Sequence, residues 1–188
     1  IGASLAGFLP VFNADNWSEA VKFHTYLSAG LISYGDVNLL KPYRLLRTHL
    51  FTVGFPCTTY STMGNQKYDD DERCLVRHVV SLIVGSGAVC ILCECTPALR
   101  TAKNGSVWRW IISELEPLYH LVYDTLVLKF FDHSTNRTMF FFAGASKLFF
   151  DVSPFTSMPK GHNYLGQPFS EAYVTLLPRY LENPFSLV

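Results

Sequence analysis

Charge is scarce in this chain: 16% of its 188 residues are Asp, Glu, Lys or Arg, and 15 basic residues balance 15 acidic ones. A strongly basic domain, the usual footprint of a nucleic-acid binder, is therefore missing at whole-chain level. Long apolar runs are missing too. Stretches such as "LVLKFF" and "MFFFAG" fall far short of the roughly 20 residues needed to cross a bilayer, so no membrane-spanning segment is expected. The chain opens at Ile1 with no basic n-region before an apolar stretch, so no signal peptide is visible. The six His residues have no triad-like neighbours, and the Cys-x-x-Cys spacing within "CILCEC" lacks a second Cys or His pair to complete a zinc site. No metal is expected. The five cysteines, at 57, 74, 90, 93 and 95, are odd in number, and three share one apolar segment where paired geometry is hard to arrange. Reduced thiols and an intracellular location (a bacterial cytoplasm or a eukaryotic nucleus) are expected.

What is present is the material of a packed core: 49% hydrophobic residues, with twelve Gly and ten Pro spread along the chain. At this length one domain is expected. We place it at residues 1–150, with 151–188 as an irregular extension holding at most a short helix in "SEAYVTLLPRYL".

Strand-like runs alternate with helical periods. "LPVFNAD" reads as a strand ending in an acid, and "NWSEAVKFHTYLSAG" as a helix with Ser18 as N-cap, Glu19 in the first turn and Gly30 as the stop. "LFTVGFP" is a second strand, ended by Pro56. "DDDERCLVRHVVSLIVGSG" reads as a helix whose acids, Asp69 to Glu72, meet the positive end of its dipole, with Gly85 and Gly87 as terminators. "AVCILCE" is a continuous apolar run, expected for a strand buried on both faces. "SVWRWIISELE" is a helix capped by Ser106 and closed by Pro117. "YDTLVLKFFDHS" and "RTMFFFAG" form an antiparallel hairpin. There is no internal repeat. The alternation implies a doubly wound α/β sheet, with ligands beyond the carboxyl ends of its strands.

Three chemically capable residues fall at such ends. Cys57 follows "LFTVGFP", Glu94 closes "AVCILCE", and Arg137 lies in the hairpin turn "STNRT". Taken singly, each has a plainer reading, a small core thiol or a solvated charge.

Their surroundings add more. "GFPCTTYS" resembles the nucleophile loop of the cytosine-5 DNA methyltransferase family. "CECTPALR" and "HSTNRTMFFFAG" are similar to that family's Glu-Asn-Val segment and its Gln-x-Arg-x-Arg hairpin, in the family's order. "VFNADNWSEAVKFHTY" and "YGDV" look like its cofactor-adenosine strand and the next Gly-Asp turn. The resemblance runs over roughly residues 7 to 145. It implies a Rossmann-like methyltransferase sheet, mostly parallel with an antiparallel C-terminal hairpin, and S-adenosyl-L-methionine as cofactor.

It also implies roles. Cys57 would add to carbon 6 of cytosine, making carbon 5 nucleophilic toward a methyl group. Glu94 would stabilise the charge loaded onto the ring. Arg137 would hold the base carbonyl or favour the thiolate. Asp15 would accept from the ribose hydroxyls beside Asn16, Asp36 would reach the adenine amino group, and Pro56 would fix the approach of Cys57. The target cytosine would have to be flipped out of the DNA duplex. The chain departs from the family pattern at Cys95, which replaces the Asn after the key Glu, and at Met139, which replaces the second Arg of the hairpin. The family's Phe-x-Gly-x-Gly loop, which should precede the segment that begins at Ile1, is not found, and its target-recognition region and final Asn-containing motif are not expected in the stretch after Ala145, which is too short to hold a base-reading region of the usual size. A second chain supplying either part, a catalytically weakened binding or regulatory subunit, and an RNA cytosine-5 methyltransferase are the alternatives.

Overall fold

The computed structural model describes residues 7–27, 31–55, 75–127, 137–155 and 157. The elements alternate as the sequence implies. Strand β1 (Phe12–Asn13) leads to helix α1 (Ser18–Leu27) and strand β2 (Ile32–Ser33), then two short 3-10 turns, Val37–Leu39 and Pro42–Arg44. Strand β3 (Leu50–Gly54), helix α2 (Val76–Ser86), strand β4 (Cys90–Cys95), a single helical turn α3 (Ala98–Thr101), helix α4 (Ser106–Leu115) and strands β5 (Tyr119–Val127) and β6 (Thr138–Ser146) follow.

Two sheets result among the described residues. β1 pairs with β2 in parallel, and β3, β4, β6 and β5 form a four-stranded sheet in that order. β3 and β4 run parallel, while β6 lies antiparallel between β4 and β5. Three of its four strands therefore point one way and β6 alone is reversed. This is the mixed sheet with a terminal hairpin that the sequence implies. β2, which the sequence reading passes over, spans two residues. Such a strand is too short to show a period of two.

Register explains which face is buried. Phe51, Ile91 and Gly144 share one face of the sheet, followed by Val53, Cys93 and Phe142 and then by Cys95 and Phe140. α2 presents Val76, Val79, Val80 and Ile83 to the core, and α4 presents Val107, Trp108, Ile111 and Leu115. Trp108 is the centre of this packing. Its ring meets Phe140 at 4.9 Å, Tyr123 at 5.1 Å and Phe142 at 5.3 Å between centroids, all edge-on, the arrangement that aromatic quadrupoles favour.

Three local expectations are corrected. β4 is not sealed on both faces: Ile91, Cys93 and Cys95 are buried, but Leu92 on the opposite face is 39% exposed. A continuous apolar run cannot show which face is covered. α2 starts at Val76, past the acidic run, with no acid in its first turn and Leu75 as its N-cap. Asp69 to Glu72 themselves lie outside the described residues. Ser106 is the first residue of α4 rather than its cap. The chain enters through Lys103, Asn104 and Gly105, all at positive φ (47, 54 and 77°), so Gly105 takes the cap position and no side chain caps the helix.

Ser18 likewise heads α1, but its hydroxyl donates to the Glu19 carboxylate. Gly87 closes α2 in the left-handed conformation, whereas Gly85 lies within the helix for a different reason: a Cβ there would lie 2.2 Å from Cβ of Pro42. Glycine lets the Pro42–Arg44 turn rest directly on the helix. Gly30 and the "SEAYVTLLPRYL" segment lie outside the described residues.

Candidate active site

The carboxyl ends of β3 and β4 and the start of β6 meet at one edge. Gly54, the last residue of β3, is registered with Glu94, and the Phe55 amide donates to the Glu94 carbonyl at 2.9 Å, extending the ladder by one bond. Glu94 is itself registered with Phe141 of β6, so Arg137, just before that reversed strand, falls at the same end. A Cβ on Gly54 would stand 3.6 Å from Oε2 of Glu94. That is ordinary van der Waals contact, and it places the Glu94 carboxylate over the end of β3.

The Glu94 carboxyl is pushed above the usual carboxylate range, first by burial, with the Arg137 guanidinium acting in the opposite direction. Both effects follow from a carboxyl half withdrawn from water beside an exposed cation. Strand register therefore places Glu94 and Arg137 at the same end of the sheet. Cys57 and Pro56 lie outside the described residues. Two of the described cysteines are unlike a nucleophile: Cys90 is pushed up to about 11 and Cys93 well above the ordinary thiol value, both by burial.

A cavity of about 940 Å³ lies between β1 and β3, bordered by Asp15, Asn16 and Asp36 among others. The two acids are set in the same way. Asp15, after β1, accepts from the Trp17 amide at 2.8 Å, and Asp36, after β2, accepts from the Asn38 amide at 2.9 Å. Each is an Asx turn, in which a short acid caps the backbone two residues on. In both it is Oδ1 that accepts, so each carboxylate is oriented by a short local bond.

Two further residues border this cavity that sequence reasoning missed. Asn13 Oδ1 and Nδ2 and Thr48 Oγ1 are buried with no hydrogen-bond partner among the described residues. Buried polar groups are normally paired, so these atoms are exceptions to that pattern. Nothing in a sequence signals an unpaired group. Among the described residues no group of three or more His, Cys, Asp or Glu is placed to hold a metal, and no helix is long and apolar enough to cross a membrane.

The architecture is a methyltransferase fold. Against solved structures, the chain superimposes with a TM-score of 0.65 and 20% identity on a prophage-encoded E. coli protein described as a DNA modification methyltransferase, over 89% of this chain and 51% of that one. It matches the S. pombe Dnmt2 methyltransferase with a TM-score of 0.57 and 15% identity, over 82% and 48% of the two chains. Among curated proteins it is 22% identical over 108 residues to the type II methyltransferase M.MspI of Moraxella sp., covering 56% of this chain and 26% of that one. The pattern of the C-5 cytosine-specific DNA methylase family matches residues 1–176. The chain belongs to that family. It spans about half the length of the solved relatives and about a quarter of the curated one.

Proposed function

We propose that the chain carries the catalytic half of a DNA cytosine-5 methyltransferase, with Cys57 as nucleophile, Glu94 as proton-holding acid and Arg137 as base-orienting cation. The observation that carries this reading is the juxtaposition of Glu94, Gly54 and Arg137 at the edge from which the Cys57 segment departs. Family membership supports the same chemistry.

The steps follow from the groups. The Cys57 thiolate adds to carbon 6 of a flipped-out cytosine, and the electron pair of the 5,6 double bond becomes available at carbon 5. Negative charge then builds at ring nitrogen 3, where Glu94, its carboxyl held above the ordinary range, donates a proton or a short hydrogen bond. Arg137, exposed beside it, holds the base carbonyl. After carbon 5 is alkylated, its proton leaves and the carbon–sulfur bond breaks, returning the thiolate.

S-adenosyl-L-methionine would supply the electrophilic methyl group. The cavity suits it: Asp15 and Asn16 at the end of β1 would take the ribose hydroxyls and Asp36 the adenine amino group. No comparison lends support to a second chain supplying the cofactor loop or the recognition region.

The test is transfer of labelled methyl groups from S-adenosyl-L-methionine to cytosine-containing duplex DNA, run beside an RNA of the same sequence. Label in DNA that is lost in Glu94→Ala supports the reading. Label in RNA alone would replace it with the RNA alternative, and tight cofactor binding without label in either would favour the binding-module alternative.

A further inference from the structure

We infer that His78 on α2 is a positioning residue for the adenine end of the cofactor site, acting through the carbonyl of Val37. This rests on the cofactor reading of the cavity given above. His78 lies 41 residues along the chain from Val37, and its Nε2 is 2.8 Å from the Val37 oxygen. A carbonyl only accepts, so Nε2 carries the hydrogen.

The turn it grips holds the cavity acid in place. Asp36 is the N-cap of Val37–Leu39, its Oδ1 accepting from both the amide and the side-chain nitrogen of Asn38, at 2.9 and 3.1 Å. Such a turn is weak alone. Three-residue 3-10 pieces have poor hydrogen-bond geometry, and both Asn38 and Leu39 are exposed. α2 ties the segment to the protein body at two points about 10 Å apart along a helix that rises about 1.5 Å per residue. His78 holds the Val37 carbonyl, and Gly85 receives Pro42 in van der Waals contact. Leu40, between them, is buried in the core. The His78 bond is the anchor next to Asp36. Releasing it removes the polar anchor nearest Asp36 and leaves the segment held by the packing of Val37 and Leu40 on the core and by the Tyr34 amide on the Asn13 carbonyl at 3.0 Å. The other described His bond of this kind, His120 to the Phe150 carbonyl at 2.9 Å, ties β5 to the residues after β6 and touches nothing at the cavity.

A fastener with no bearing on the ligand would affect stability alone, so the test reads ligand discrimination. Adenosine and purine riboside, which lacks only the 6-amino group, are titrated into the full chain by ligand-observed NMR, with S-adenosyl-L-methionine binding measured by calorimetry. Wild type is expected to prefer adenosine about tenfold, the worth of one hydrogen bond to a charged acceptor. His78→Leu, which keeps bulk but donates nothing, should reduce that preference to about twofold and weaken S-adenosyl-L-methionine in parallel. His78→Gln, with an amide hydrogen available to the same carbonyl, should restore it.

A folded His78→Leu protein with the tenfold preference intact overturns the inference, as does a folded His78→Gln protein without it. Wild type that binds adenosine with no preference also overturns it. Wild type that binds neither nucleoside nor S-adenosyl-L-methionine overturns the cofactor reading itself, a result distinct from the other three.

Discussion

Replacing Gly85 by alanine sets two effects of known sign against each other. In an exposed helix interior, Gly→Ala is stabilising by about 1 kcal/mol, because alanine loses less backbone entropy. At this position, however, the new Cβ would lie 2.2 Å from Cβ of Pro42, 3.1 Å from its Cα and 3.4 Å from its carbonyl carbon. Carbon atoms rest at about 3.5–4.0 Å, so the first contact is too close by more than an ångström and part of the obstacle is backbone. The Pro42–Arg44 turn must slide off α2. Overpacking of this kind costs about 1–3 kcal/mol, and so deep an overlap belongs in the upper part of that range. The net expectation is a destabilisation of about 1–2 kcal/mol, or roughly 3–6 °C in Tm for a domain of this size. Urea titration followed by tryptophan fluorescence measures it. Pro42→Gly removes the struck atom, and in that background Gly85→Ala should recover most of the helix gain, a coupling read from a double-mutant cycle. A Gly85→Ala protein about 1 kcal/mol more stable than wild type would show that α2 and the turn do not touch.

Other expectations are as direct. Glu94 has a raised pKa, so its neutral form persists above the ordinary carboxylate range and is lost as pH climbs through the raised value; any stability it contributes follows the same course. Arg137 opposes that shift, so Arg137→Met should move the Glu94 titration, followed by carboxyl ¹³C NMR, to still higher pH; a downward move would contradict the assigned causes. Trp108→Ala empties the space between Phe140, Phe142 and Tyr123 and should cost about 3–5 kcal/mol in equilibrium unfolding; a loss below about 1 kcal/mol would mean that α4 does not pack on the sheet there. Asp15→Ala removes both a cap on the Trp17 amide and a cavity carboxylate: a loss of about 1 kcal/mol of stability with at least a tenfold loss of S-adenosyl-L-methionine affinity is expected. Unchanged affinity by calorimetry would remove Asp15 from the cofactor site.

How much of this was legible beforehand depended on range. β3, β4, α2, α4 and the β5–β6 hairpin all announced themselves through local period and punctuation, and Glu94 and Arg137 could be placed at strand ends because strand ends are local features. What failed was set by contacts distant in sequence. Leu92 looks the same in "CILCEC" whether or not a layer covers it, so only the packed sheet reveals that its face is open. Ser106 is a good capping residue by type, yet the left-handed run at Lys103, Asn104 and Gly105 takes the cap position one residue earlier. Gly85 read as helix punctuation, and its actual use against Pro42 is a contact 43 positions back. His78 gave no signal at all, since its partner is a backbone carbonyl, which every residue possesses.

The central claim, that the Cys57 sulfur reaches a flipped cytosine beside Glu94 and Arg137, is tested most directly by trapping. The chain is incubated with S-adenosyl-L-methionine and duplex DNA carrying 5-fluorocytosine, whose fluorine cannot leave as the ring proton does, and the product is digested and mapped by mass spectrometry. The account predicts a methylated fluoropyrimidine attached at Cys57, with no attachment at Cys90, Cys93 or Cys95 and none in Cys57→Ser. A covalent product mapped to one of the three buried thiols, or an undiminished one in Cys57→Ser, would contradict it.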